Sequence, residues 1–216
     1  MTAAASTALM NRIYRRQRHI YDATRKYFLL GRDRLIAGLD ARDGHAVLEI
    51  GCGTGRNLIL AAERYSGARF FGVDVSTEML HSAIEAIGRA GLASRVRVAH
   101  ADATAFDPAA LFGVARFDRV FISYSLSMIP CWHDVLESAR ARLAPGGELH
   151  VVDFGGQAGL PRWFRAVQRR CLALLHVTPR DTLEAELRGK AADALLRFER
   201  PYRDYAQYAR VALSRD

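Results

Sequence analysis

Residues 46–55 read Ala-Val-Leu-Glu-Ile-Gly-Cys-Gly-Thr-Gly, and few other stretches limit a chain so strongly. A short apolar run ends in glycines at 51, 53 and 55, and a helix-compatible stretch, Arg56 to Tyr65, follows at once. Strand, tight turn and helix are therefore expected in that order. The backbone of the turn is stripped of side chains, so a ligand can lie against the main chain where free N–H groups collect at a helix start. The pattern departs from the dinucleotide fingerprint G-x-G-x-x-G, because Arg56 follows Gly55 and the helix contains no further glycine there.

Two acids follow at strand ends. Asp74 closes Arg69-Phe70-Phe71-Gly72-Val73-Asp74, about twenty residues on, where a carboxylate can accept from a ribose diol. Asp102 follows the strand Arg95 to Ala101. The set E-x-G-C-G-T-G, G-V-D-x-S and A-D-A resembles the class I S-adenosylmethionine-dependent methyltransferases. That resemblance implies S-adenosylmethionine as cofactor, with S-adenosylhomocysteine as product. It sets Gly51, Gly53 and Gly55 at the methionine part, Asp74 on the ribose and Asp102 by the adenine amine. Val75, Met79 and Ala103 join the cofactor set.

The rest of the chain agrees with an α/β class. Alternating strand and helix patterns from Ala46 to Asp153 are the signature of parallel βαβ units. Helices are expected at Arg56–Tyr65, Thr77–Arg89 (capped by Ser76) and Asp134–Leu143. The fourth strand is Phe117–Ile122, and Pro145-Gly146-Gly147 is a turn delivering the fifth, Glu148–Asp153. Further helices are expected over Leu160–His176 and Thr182–Leu195, and a hairpin over Arg197–Leu213. The resemblance implies a doubly wound, seven-stranded, mostly parallel Rossmann-like sheet whose last two strands run antiparallel, with an N-terminal helical cap. The division is 1–42, an amphipathic helical extension, and 43–216, the methyltransferase domain.

Charge separates the segments. Residues 1–42 carry nine Lys or Arg against three acids, residues 43–154 ten against thirteen, and residues 155–180 five against none. Basic flanks around a slightly acidic middle point to an anionic partner. In the stretch Leu9–Leu39, Met10, Ile13, Tyr14, Ile20, Tyr21, Tyr27 and Phe28 share one helical arc, opposite Arg12, Arg15, Arg16, Arg18, Arg25 and Lys26. Leu160–His176 is a second basic amphipathic helix, with Leu160, Trp163, Phe164, Val167, Cys171, Leu174 and Leu175 on one face and Arg162, Arg165, Arg169 and Arg170 around the rest. Such helices either pack on a core or lie on an anionic membrane. Three scattered cysteines, Cys52, Cys131 and Cys171, fit a reducing compartment and no metal site. No basic leader and no long apolar run is visible, so the expected location is cytoplasmic, peripheral to the inner membrane face.

Methyl transfer from a sulfonium needs chiefly placement and desolvation. The acceptor is expected at the end of the fourth strand, Ile122–Pro130, which lacks the Asp/Asn-Pro-Pro-Tyr motif of nucleic-acid or glutamine amine acceptors. Ser123 and its neighbours Ser125 and Ser127 either orient an acceptor or cap the strand end. Tyrosine faces stabilise a growing ammonium, and Tyr14, Tyr21, Tyr27, Tyr124, Tyr202 and Tyr205 are available. His133 and His150 are candidate bases or structural residues.

A narrower resemblance covers most of the chain. Residues 19–36, His-Ile-Tyr-Asp-Ala-Thr-Arg-Lys-Tyr-Phe-Leu-Leu-Gly-Arg-Asp-Arg-Leu-Ile, together with Ser123–Pro130, Trp132 and Tyr205-Ala206-Gln207-Tyr208-Ala209, are similar to diacylglycerylhomoserine N-methyltransferases of betaine lipid synthesis. That resemblance implies trimethylation of a lipid-borne amine, with Tyr21, Tyr124 and Ser123 at the acceptor and Tyr27 and Arg32 closing over the cofactor. Its partners are an amine-headgroup lipid and an anionic membrane surface, without nucleic acid. The alternatives are phosphatidylethanolamine or a small amine as acceptor on the same fold, an RNA methyltransferase, and a non-catalytic cofactor-binding scaffold.

Overall fold

The structure, a computed structural model, describes residues 29–190 and 194–214. It contains a seven-stranded sheet in the order β3-β2-β1-β4-β5-β7-β6. The strands are β1 (Ala46–Ile50), β2 (Arg69–Asp74), β3 (Val96–His100), β4 (Phe117–Ser123), β5 (Leu143–Phe154), β6 (Ala194–Glu199) and β7 (Ala206–Leu213). The helices are α1 (Arg32–Gly38), α2 (Arg56–Arg64), α3 (Thr77–Arg89), α4 (Pro108–Phe112), α5 (Trp132–Ala141), α6 (Arg162–Leu174) and α7 (Leu183–Gly189).

The central strands β1 and β4 are buried almost throughout because helices cover both faces of the sheet there. Alternate residues of one strand feed different layers. Val47, Phe70, Phe121, Val152 and Phe154 join Leu35, Leu58, Ala61, Leu80 and Ala83 on the α1–α2–α3 side. Leu48, Ile50, Val73, Val120, Ile122 and Val151 join Phe112, Trp132, Val135, Leu136 and Leu183 on the α4–α5–α7 side. Strand order reverses at β1. The chain moves outward through β2 and β3, then returns to place β4 on the other flank of β1. In open α/β sheets the crevice at such a reversal is where ligands bind.

Several element bounds differ from the sequence expectation, each for a local reason. Helix α5 starts at Trp132 and stops at Ala141, because Leu143 is already paired with Phe117. Pro145-Gly146-Gly147 does not precede β5 but lies inside its span. The register jumps from Phe117↔Leu143 to Arg119↔Glu148, so the intervening residues bulge, with Gly146 at φ 69°. Helix α7 covers only Leu183–Gly189, whereas Ala194 and Leu195 belong to β6. There the alternation of exposed Leu195, Arg197 and Glu199 with inward Leu196 and Phe198 has the period of a strand, and pairing with β7 overrides helix-favouring composition. Only β7 runs antiparallel to β5; β6, antiparallel to β7 at the sheet edge, points the same way as the parallel five. Helix α4 escaped the sequence reading although its signals are plain: Asp107 caps Ala109 N–H at 2.9 Å, proline opens the helix and Gly113 closes it in the left-handed region.

Of the N-terminal amphipathic stretch, the part before Leu29 lies outside the described residues, including Tyr14, Tyr21 and Tyr27. Within them, helix α1 begins afresh after Gly31, whose φ is 87°. It is too short to stand alone, and side chains of the domain satisfy its backbone carbonyls. Tyr65 donates to Ile36 O (3.0 Å) and Ala37 O (2.8 Å), and Arg119 Nε donates to Leu39 O at 2.7 Å. Tyr124 donates its hydroxyl proton to Leu30 O. Leu35, Ile36 and Leu39 are buried, so residues 29–39 are part of the core rather than a detached extension.

A polar network underlies this attachment. Arg210 grips Glu148 with two bonds, at 2.7 and 2.8 Å, His150 contacts Glu148 at 3.0 Å and Tyr208 at 3.1 Å, and Arg119 stands 3.6 Å from Glu148. Burial pushes the Glu148 carboxyl up, but the bonds from His150 and Arg210 and the Arg119 charge win and hold it at about 2. His150 is wholly buried in this network, away from any cleft, so its part is structural.

Asp153, at the end of β5, is also wholly buried. Its oxygens accept from Ser127 N (3.0 Å) and Phe154 N (2.7 Å). Burial nevertheless pushes its carboxyl from 3.8 up to about 6, against those bonds and the nearby Arg180 charge. The folded protein holds this proton more tightly than the unfolded chain, so the residue's stability contribution falls as pH rises from about 4 to about 6. A displacement of this size is worth about 3 kcal/mol. Urea denaturation of Asp153→Asn at a series of pH values is expected to show the variant gaining roughly that amount, relative to the native protein, between about pH 4 and pH 7. Parallel stability curves would contradict the buried placement.

Candidate functional site

The glycine turn is built as a cradle against the ends of β1, β2 and β4. Gly51, Gly53 and Gly55 have φ of 74°, 54° and 74°. A Cβ at Gly51 would sit 2.6 Å from Ser125 Cβ, so this position needs glycine on both conformational and steric grounds. Gly51 N and Cys52 N donate to Val73 O, and Gly53 N donates to Asp74 Oδ2 at 2.8 Å. Asp74 Oδ1 accepts from Ser76 N at 2.9 Å. One carboxylate at the end of β2 thus ties the turn after β1 to the cap of α3.

The adjoining residues of the cofactor set sit around this tie. Ser76 Oγ caps α3 by accepting from Met79 N at 3.4 Å, and Met79 is buried. Val75 O accepts from His100 Nε2 at 3.1 Å. Ala101 N donates to Asp74 O, which brings the end of β3 alongside. One residue on, Asp102 Oδ1 accepts from both the amide (2.9 Å) and the hydroxyl (2.7 Å) of Thr104, and Ala103 lies half-buried between them. Asp74, Val75, Met79, Asp102 and Ala103 therefore share one side of the turn.

On the other side, between β1 and β4, the turn borders a small cleft. Gly51, Cys52 and Thr54 contribute the turn, Arg56 and Asn57 the first residues of α2, and Ser123 the end of β4. Leu29 and Arg32 close it from the N-terminal segment. Helix α2 starts at left-handed Gly55 with no side-chain cap, so its N-terminal partial positive charge faces this region together with the Arg32 and Arg56 guanidiniums. Asn57 Nδ2 donates to buried Glu49 Oε1 at 2.7 Å, which fixes its orientation. Among the described residues no histidine, aspartate or glutamate lines the cleft.

The structure brings Gly51, Ser123 and Arg32 to one cleft and Gly53, Asp74 and Asp102 to its neighbouring side. Tyr124 is not in the lining. Its backbone has φ 56°, its ring packs edge-on against Phe154 at 4.7 Å, and burial beside Asp153 pushes its hydroxyl well above the ordinary tyrosine range. It is a permanent proton donor that holds Leu30, not a group facing the cleft. Tyr205 packs at 6.1 Å on the other side of Phe154, and burial pushes its hydroxyl up to about 12, against a bond with Gln168. Ser125 donates to Ile50 O at 3.1 Å and so caps β1, whereas Ser123 Oγ is buried at the cleft without a hydrogen-bond partner. His133 is exposed and 3.8 Å from Glu186, remote from the turn. Tyr21 and Tyr27 lie outside the described residues.

Leu29, Cys52, Thr54, Arg56 and Asn57 line the cleft without having been singled out from the sequence. Asn57 was within reach of sequence reasoning: an amide two residues after the last glycine faces back to the acid two residues before the first.

Gly51→Ala is expected to cost about 1–3 kcal/mol through left-handed strain and the clash with Ser125, read as a lowered urea midpoint. Unchanged stability would show that the turn is not packed as described.

Residues 48–149 match the family described as "Methyltransferase domain". The chain is 33% identical over 117 residues to a trans-aconitate 2-methyltransferase of Azoarcus sp. (strain BH72), covering 54% of this chain and 42% of the relative. It is 30% identical over 178 residues to the 27-O-demethylrifamycin SV methyltransferase of Amycolatopsis mediterranei (strain S699), covering 78% and 63%. The matched stretch thus spans about two fifths of the first relative. Among solved structures, geranyl diphosphate methyltransferase in complex with SAM shares the fold, with TM-score 0.65 and 16% identity over 86% of this chain and 84% of that one.

Proposed function

We propose that this chain, a class I S-adenosylmethionine-dependent methyltransferase by its domain at residues 48–149, N-methylates the amine of a lipid-borne amino acid, diacylglycerylhomoserine, three times to a betaine. The observation that carries the reading is the cleft between Gly51 and Ser123. It is closed by Leu29 and Arg32 from the segment that resembles the betaine-lipid enzymes, and Arg32 and Arg56 are among the residues that line it.

The cradle suits S-adenosylmethionine. The bare turn, the uncapped start of α2, Arg32 and Arg56 offer a site for the carboxylate of its methionine part. Asp74 sets a carboxylate at the end of β2, where it can accept from a ribose diol, and Asp102 lies next to it for the adenine amine. The cofactor supplies a methyl group on a sulfonium. The protein's part is to hold the acceptor nitrogen at the β4 end, in line with that group, and to exclude water. An amine can lose its proton to water before each transfer, so this acceptor needs no general base from the protein. A headgroup that carries its own carboxylate beside the amine brings an anion into the same basic surroundings. Membrane association at the surface where such a lipid resides belongs to the same proposal.

A second reading, a small-molecule acceptor, is favoured by the names of the curated relatives, which include trans-aconitate and rifamycin methyltransferases.

Purified protein is to be incubated with methyl-labelled S-adenosylmethionine and, separately, diacylglycerylhomoserine, phosphatidylethanolamine, trans-aconitate, small amines and total RNA. The expected product is a lipid three methyl groups heavier than diacylglycerylhomoserine. Label confined to any other acceptor overturns the betaine-lipid reading and leaves the fold intact. Asp74→Ala is expected to abolish S-adenosylhomocysteine binding in calorimetry; unchanged affinity removes the ribose assignment.

A further inference from the structure

Helix α6 is mounted with its apolar face outward. At about 100° per residue, Trp163, Leu174, Val167, Cys171 and Phe164 fall within an arc of about 100°. An ordinary surface helix turns such an arc to the core. Here Trp163 is 71% exposed, Leu174 73%, Val167 57% and Phe164 38%. The buried strip is the adjoining one, Gln168 and Leu172, with Leu175 half-buried against the core layer that holds Tyr124 and Tyr205. Trp163 and Phe164 stack edge-on at 5.8 Å, so the two largest apolar side chains form one protruding knob at the start of the helix.

The charges around this face have one sign. Arg170 borders the apolar arc, about 70° from its centre, while Arg162, Arg165 and Arg169 lie on the far side of the helix, and residues 155–180 contain no acid. Arg169 reaches Asp181 at 3.2 Å; Arg170 has no ion pair among the described residues. A second copy docked on this face by two-fold symmetry brings two basic, acid-free segments together, which is repulsive. An anionic bilayer matches both features, with aromatic and aliphatic side chains at the depth of the headgroups, Arg170 reaching a phosphate and the whole segment drawn to the negative surface.

We infer that α6 is an interfacial membrane-docking helix. Trp163, Phe164, Val167 and Leu174 insert among the headgroups of an anionic leaflet, and Arg170 at the border of that face holds a phosphate. The helix follows directly on the loop after β5, at the same sheet end as the cleft between β1 and β4. Docking through it therefore sets the cleft at the lipid surface. The inference rests on the lipid-acceptor reading for its purpose, but not for its test.

The test uses vesicles of phosphatidylcholine with phosphatidylglycerol, which contain no methyl-acceptor amine, and needs no cofactor. Flotation of the full chain with these vesicles is expected, with far weaker binding to pure phosphatidylcholine. The chain has two tryptophans, and Trp132 is buried, so a blue shift of emission on vesicle addition reports Trp163. The double variant Trp163→Ala, Phe164→Ala is expected to bind at least tenfold more weakly. Its urea midpoint and S-adenosylhomocysteine affinity should be unchanged, because neither side chain supports the core. Arg170→Gln should lower binding to anionic vesicles and leave the residual binding to neutral ones. Vesicle binding equal in the native protein and the aromatic variant overturns the inference. So does a native dimer that the aromatic variant splits, or a lowered urea midpoint showing that the chain itself covers this face. Vesicle binding without methylation of diacylglycerylhomoserine in detergent micelles removes the acceptor reading alone; micellar methylation without vesicle binding removes this inference alone.

Discussion

The hydrogen bond from Gly53 N–H to the Asp74 carboxylate, at 2.8 Å, is the contact on which the site depends. A turn with three left-handed glycines has high conformational entropy when free, so something outside it must select one conformation. A charge-assisted bond from the neighbouring strand does so, and the same carboxylate fixes the amide of Ser76 that starts α3. The parallel register of β1 and β2, Ile50↔Val73, sets the distance between these groups before any ligand arrives. Preorganisation of the main chain thus follows from strand pairing.

The same economy shapes the roof of the cleft. Helix α1 has only seven residues and contributes little helical stability of its own. Its exposed carbonyls become attachment points for Tyr65, Arg119 and, at Leu30, Tyr124. Arg119 also faces Glu148, whose charge Arg210 and His150 stabilise. The segment that brings Leu29 and Arg32 to the cleft is therefore anchored through a buried polar network centred on β5. Removing one partner of such a network leaves another buried charge uncompensated, so damage there should spread to the cleft.

How far the sequence disclosed this depends on the range of the interaction. Strand, turn and helix around Gly51–Gly55, the Ser76 cap and the bounds Thr77–Arg89 were legible because their causes are local. The start of β5 was not, since Leu143 joins the strand only by pairing with Phe117. Ala194 and Leu195 look helical until β7 pairs beside them. Periodicity identified the apolar face of α6 but carries no information on whether that face turns inward; only the packed structure shows it exposed. Tyr124 illustrates the limit for sites. Its place at the end of β4 suggested the acceptor, yet its left-handed backbone turns the ring into the core beside Phe154. Arg32 at the cleft was named only through the resemblance of residues 19–36, since no local pattern points a side chain there.

Hydrogen–deuterium exchange with and without S-adenosylhomocysteine tests the central claim most directly, that one preformed cradle joins the glycine turn, the β2 acid and the N-terminal roof. Slowed exchange on binding is expected at amides 51–57, at 75–79 and in the segment 29–39, with little change in β6 and β7. Exchange that is unaltered at the turn, or protection that omits the segment containing Leu29 and Arg32, would contradict it.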